Sequence, residues 1–110
     1  MVIYSEEKLD SVFGALSNQT RRQIVGRLSV KPHSVLELAR DFPISQPAVS
    51  KHLNVLEKSG LIERRRKGRS QICSLNADNL REAYGWIGYF DAFWDEKLEA
   101  LSKHVEAKNG

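Results

Sequence analysis

Apolar positions recur every three or four residues along most of this chain and give way to strand-like alternation only between about residues 61 and 75. Leu9, Val12, Phe13 and Leu16 form the stripe of a first helix that begins near Ser5. The Ser5 hydroxyl is placed to cap it, with Glu6 and Glu7 in its first turn. A second helix, with Ser17 as the preferred cap and Asn18 as the rival one residue on, runs through Ile24, Val25 and Leu28. It must stop before Lys31-Pro32, because proline forces the residue before it out of the helical region. Ser34 caps a short third helix. Glu37 stands three residues later in capping-box spacing, and Val35, Leu36, Leu38 and Ala39 supply the apolar content.

Phe42-Pro43-Ile44 then breaks the chain, and Ser45 caps a fourth helix that tolerates Pro47 because first-turn N–H groups lack helical partners. Val49, Leu53 and Leu56 share one face of it, flanked by Ala48 and His52, and Gly60 is suited to end it with positive φ. Residues 61–66 and 70–75 read as two short strands around Lys67-Gly68-Arg69, with glycine at the tip of a tight hairpin. In the second strand Ser70, Ile72 and Ser74 share one face, and Gln71, Cys73 and Leu75 the other. A long last helix, capped by Asn76 or Asp78, continues to about Val105. The predicted class is mainly α with a small β-hairpin wing, a winged helix-turn-helix in the order α-α-α-α-β-β-α. Residues 1–110 are expected to make a single unit.

Charge sharpens this picture. Residues 1–75 hold 13 Lys/Arg against 7 Asp/Glu, whereas residues 76–110 hold 4 against 7, so the basic surface is confined to the body. The helix-break-helix unit has a polar outer face. Pro47, Ser50, Lys51, Asn54 and Lys58 point away from the Val49–Leu53–Leu56 stripe, with Ser45 and Gln46 at the N-terminal edge. Such a helix fits the major groove, where Gln pairs with adenine and Ser contacts several bases, while Lys51, His52 and the helix N-terminus suit phosphate. Arg64, Arg65, Arg66, Lys67 and Arg69 crowd five positive groups into six positions of the hairpin. Beside DNA, Arg64, Arg66, Lys67 and Arg69 are placed to meet phosphate or the minor groove. The expected partner is double-stranded DNA, since there is no GxxG loop of nucleic-acid-clamping type and no aromatic strand motif for stacking RNA bases.

The terminal helix carries two apolar stripes. Leu80, Tyr84, Ile87, Asp91, Trp94, Leu98, Leu101 and Val105 form one, and Ala83, Trp86, Phe90 and Phe93 the other. One stripe is expected to close the home domain and the other to meet a second copy together with Leu9 and Phe13 of the first helix. Helices at about 5–16 and 78–105 thus form the predicted homodimer interface. Asp91 interrupts the seam; it can pair across a dimer, face an effector cavity, or lie exposed if the helix bends at Gly88.

Other chemistry finds little support. His33, His52 and His104 sit on different elements, there is no paired cysteine, and no metal or cofactor is expected. Glycine-rich phosphate loops and nucleophile elbows are absent, so no enzyme is predicted. No run approaches the length of a membrane span, no secretion signal opens the chain, and the lone Cys73 suits a reducing compartment, with cytoplasm as the default. A non-DNA protein-interaction module is the alternative of a different class.

Ser45 through Ile62, with Gln46-Pro47-Ala48-Val49-Ser50-Lys51-His52-Leu53 at its head, resembles the recognition helix and exit of the ArsR/SmtB family of winged-helix repressors. Residues 16–24 resemble that family's first-to-second-helix junction, and Arg65-Arg66-Lys67-Gly68-Arg69 its wing. The resemblance implies a dimer through the first and last helices and binding to an imperfect inverted repeat. It also implies departure from the metal sensors, whose third-helix cysteine pair would fall near Ser34-Val35-Leu36, where no cysteine stands. Asp91, Asp95 and His104 likewise do not reproduce those sensors' last-helix ligands. The segment 89–98 resembles metal-site-free members, and a redox signal at Cys73, a small-molecule effector or a protein effector stays open.

Overall fold

A computed structural model describes residues 5–109, with side chains described for residues 5–104. Four helices come first: α1 (Glu6–Leu16), α2 (Gln19–Val30), α3 (Val35–Asp41) and α4 (Gln46–Lys58). Between α2 and α3 lies a two-residue strand, β1 (His33–Ser34). The hairpin β2 (Ile62–Lys67) and β3 (Ser70–Leu75) follows α4, and α5 (Asp78–Gly88) and α6 (Asp91–Asn109) end the chain. The fold is mainly α with a small antiparallel sheet, as the hydrophobic pattern predicts.

Four expectations need correction. The preferred cap Ser17 belongs to the end of α1, where its hydroxyl donates to the Gly14 carbonyl at 2.7 Å. The rival Asn18 caps α2 instead, with extended φ −113° and ψ 132° and its side-chain oxygen accepting from Arg21 N–H at 3.1 Å. The hairpin gains a third strand. β1 pairs antiparallel with β3, His33 opposite Cys73 and Ser34 opposite Ile72, giving the sheet order β1-β3-β2. The long last helix is two helices: α5 ends at Gly88, a poor helix former, and a turn at Tyr89 and Phe90, with Tyr89 still near helical dihedrals at φ −54° and ψ −26°, separates it from α6. The residue at the N-cap of α5 is Ala77, neither Asn76 nor Asp78; Asp78 is the first residue of the helix, and Asn76, one residue before the cap, accepts the Asp78 N–H at 3.2 Å through its side-chain oxygen.

Local chemistry explains the elements that position the site. Ser34 and Glu37 complete a reciprocal capping box at the start of α3, their bonds measuring 3.1 and 3.2 Å. The Ser45 hydroxyl accepts from Ala48 N–H at 3.3 Å and opens α4. At its end Gly60 takes φ 76°, its N–H donates to Glu57, and Leu61 N–H donates to Leu56, both at 3.0 Å. That pair of bonds, with Leu56 and Leu61 both fully buried, stops α4 and turns the chain into β2. Gly68 reaches φ 62° at the first of two turn residues, where glycine closes a tight hairpin.

The core gathers Val12, Ile24, Leu28, Leu38, Val49, Leu53, Leu56, Leu61, Ile62 and Cys73, drawn from the first four helices and the β2–β3 hairpin, with Ala83 the buried member from α5. Contrary to expectation, none of the described side chains of α6 belongs to this core. The described residues from Tyr89 to His104 are all exposed. The Cα radius of gyration is 18.5 Å, against about 13 Å for a compact domain of this length. α6 stands off the body. Among the described residues no helix is long and apolar enough to cross a membrane.

Candidate nucleic-acid interface

The helix-break-helix unit presents α4 with its Val49–Leu53–Leu56 face sealed in the core and its opposite face in solvent. Gln46, Pro47, Lys51, Asn54 and Lys58 are exposed, and Ser50 is partly exposed. No acidic residue sits in the first turn of α4, so its free N–H groups and dipole offer an unopposed positive end. The wing folds back toward this end. Gln46, Ser50, Arg66 and Arg69 line one open groove of about 450 Å³, together with Leu36, Gln71 and their neighbours. Two groups on α4 able to read bases and two guanidinium groups able to meet phosphate therefore share one concave surface. Lys67 lies toward the other side of the wing, lining a hollow with Pro32, Arg65 and Ile72.

Not every basic or polar residue of the unit is free. Arg64 sits opposite buried Cys73 in the ladder and turns inward, its side chain only 18% exposed. Its guanidinium donates to both Glu57 carboxylate oxygens, at 3.1 and 3.4 Å, and to the Asn54 side-chain oxygen. Arg64 and Asn54 thus tie β2 to α4. Arg65 is the reverse case, with a side chain 81% exposed and only a 3.5 Å contact to Glu63.

His52 is also engaged from behind. Arg21 Nη1 lies 3.3 Å from His52 Nδ1, while the same guanidinium donates to the Ala15 and Gly14 carbonyls at 2.6 and 3.2 Å. Because arginine can only donate, Nδ1 must accept and the ring proton belongs on Nε2. Burial, and then the Arg21 charge, hold the His52 pKa below the ordinary histidine value. Arg21 therefore joins the end of α1 to the middle of α4. Sequence reasoning missed this role, since the two partners lie 31 residues apart.

Burial pushes the Cys73 thiol up, with Arg64 opposing and Glu57 adding to the rise, so the neutral thiol is favoured. Across the ladder from it, the His33 ring nitrogen Nδ1 lies 2.9 Å from the Lys31 carbonyl. Among the described residues no three His, Cys, Asp or Glu side chains converge as a metal site would require.

The expected dimer residues divide. Leu9 is buried within its own chain at 5% exposure. Phe13 is half-exposed and makes an edge contact with Trp86 at 5.8 Å between ring centroids. Tyr84, Ile87, Trp94, Leu98 and Leu101 are all open to solvent, and Asp91 is exposed at the first turn of α6.

Comparison with known proteins agrees with this geometry. A helix-turn-helix domain model matches residues 16–65. The HTH-type transcriptional regulator Rv2034 of Mycobacterium tuberculosis is 36% identical over 99 residues, which is 90% of each chain. The transcriptional repressor SdpR of Bacillus subtilis is 35% identical over 79 residues, covering 72% of this chain and 88% of that one. Among solved structures, the ArsR family transcriptional regulator RHA00566 superposes with a TM-score of 0.77 at 35% identity, over 86% of this chain and 97% of its own. These relatives are transcriptional regulators and not enzymes. The chain belongs to the ArsR family of winged helix-turn-helix transcriptional regulators.

Proposed function

We propose that this regulator is a homodimeric, metal-independent repressor that binds an inverted-repeat operator. The observation that carries the reading is the single groove in which α4 and the wing bring Gln46, Ser50, Arg66 and Arg69 together. In this reading α4 enters the major groove, Gln46 and Ser50 contact base edges, and Ser45, Pro47, Lys51, Lys67, Arg66 and Arg69 lie along the backbone. Arg64, Asn54 and His52 act behind that surface, holding the wing and α2 against the recognition helix. Metal independence is supported by the donor set, since a buried neutral thiol and separated imidazoles are poor ligands for soft cations. The cytoplasm, where DNA is within reach, is the corresponding location.

Homodimerisation is supported by the aromatic and aliphatic surface of α5 and α6. Tyr84 is 74% exposed and Leu98 64%, and although α5 packs on α1 through its other face, such a run of exposed aromatic and aliphatic side chains suits an interface with a second copy. Residues 1–110 act as one unit, with the terminal helices as the contact between copies. Sedimentation at micromolar concentration should give twice the 12.5 kDa chain mass. Leu98→Glu should give the single mass with folding intact, because Leu98 leaves no hole in the core, and should weaken operator binding as paired half-sites are lost. A wild-type monomer would contradict the arrangement.

A further inference from the structure

The short helix α3 does not bury all of its apolar residues. Leu38 is fully buried and Val35 and Ala39 pack partly against the core, but Leu36 turns out and is 58% exposed. A single exposed leucine is ordinary; its placement here is not. Leu36 stands on the rim of the groove lined by Gln46, Ser50, Arg66 and Arg69, and it also adjoins Gln46 in the neighbouring hollow on α3. Its neighbour Glu37 is held in the capping box with Ser34. Leu36 is thus the apolar edge of a surface otherwise built to hydrogen-bond and to neutralise charge.

A leucine side chain has nothing to offer phosphate or a base-edge donor. The one apolar feature that a base pair displays in the major groove is the thymine C5-methyl group. We propose that Leu36 is a specificity-determining residue, packing against a thymine methyl beside the base pair met by Gln46. The proposal rests on the reading that α4 and the wing sit on DNA, and the methyl contact is additional to it. Leu36 makes the family's reading unit bipartite: hydrogen bonds come from α4, and shape and methyl recognition come from the start of α3.

The test uses the tightest duplex recovered from a random pool and replaces each thymine in turn with deoxyuridine, which removes the methyl and leaves every hydrogen bond. One buried methyl is worth about fourfold in affinity at each half-site, so about sixteenfold when both half-sites are changed. Wild type should show that loss at one position per half-site. Leu36→Ala should lose the sensitivity at that position, while Leu36→Met should keep it. Circular dichroism confirms that each variant is folded, which the exposure of Leu36 favours. Discrimination between base pairs without any dependence on a methyl, or full methyl sensitivity retained in Leu36→Ala, overturns the proposal and leaves the groove standing. Equal affinity for every duplex, base-pair substitutions included, overturns the DNA-reading groove and Leu36 with it.

Discussion

Arg64 and Arg66 lie two residues apart on the same strand, yet the structure assigns them opposite duties. Arg66 lines the groove beside Gln46, whereas Arg64 is spent on Glu57 and Asn54 with its side chain 18% exposed. Each protein charge that neutralises a phosphate adds about 0.9 to the slope of log affinity against log salt. A bound dimer carries two copies, so Arg66→Ala should flatten the slope by about 1.8. Between 50 and 200 mM salt that corresponds to about a twelvefold difference in how far affinity falls. The double variant Arg64→Ala/Glu57→Ala removes an ion pair without changing net charge, and its slope should stay that of wild type. Its cost to stability should be about 0–1 kcal/mol, because both partners are partly solvated. Fluorescence anisotropy on one labelled duplex over a salt series, with urea unfolding alongside, measures both quantities. A slope lost in the double variant and kept in Arg66→Ala would refute the division, because Arg64 would then be leaving Glu57 for phosphate.

Two further expectations concern the parts that hold α4. Gly60→Ala should cost about 2–3 kcal/mol, because the left-handed φ of 76° is joined by a clash with the Asn79 amide, whose donation to the Ser59 carbonyl would be broken. Gly68→Ala, at φ 62° with open space around it, should cost only about 1–2 kcal/mol in the same urea unfolding measurement, and equal costs would argue against the Asn79 contact. For His52 the folded pKa lies below the unfolded value of about 6.5, so the unfolded chain takes up its proton first. The stability this contributes is complete above that pH and is lost as pH falls toward the folded pKa. His52→Asn, whose side-chain oxygen can accept the Arg21 bond without titrating, should flatten the loss of stability between pH 7.5 and 5.5; an unchanged loss would place the proton uptake elsewhere.

What could be read in the sequence was what depends on near neighbours. Ser5, Ser34, Ser45 and Gly60 act within four residues of themselves, and each was legible as a cap or a stop. Ser17 and Asn18 are adjacent residues of the same capping type. Only the backbone could decide between them, because Ser17 is already helical at ψ −4° and bonded to Gly14. β1 is two residues long, too short for any alternation, and exists because β3 offers it an edge. A bend at Gly88 that leaves Asp91 exposed was one of three readings open in the sequence, but the apolar period runs straight through Tyr89–Phe90 and so could not select it. In the site, the pairing of Arg64 with Glu57 and Asn54 was not legible, because those partners lie seven and ten residues away on another element. Leu36 was counted with the apolar content of a helix only seven residues long, where a wheel hardly resolves inside from outside.

The central claim, that two copies read an operator through paired grooves, is tested most directly by selection from a pool of random duplexes with the purified full chain. Two half-sites related by inversion, their centres about 10 base pairs or a multiple apart, should be enriched, and the same selection with Gln46→Ala should relax one position in each half. Enrichment of a single unrepeated site, or of nothing above the starting pool, would contradict it.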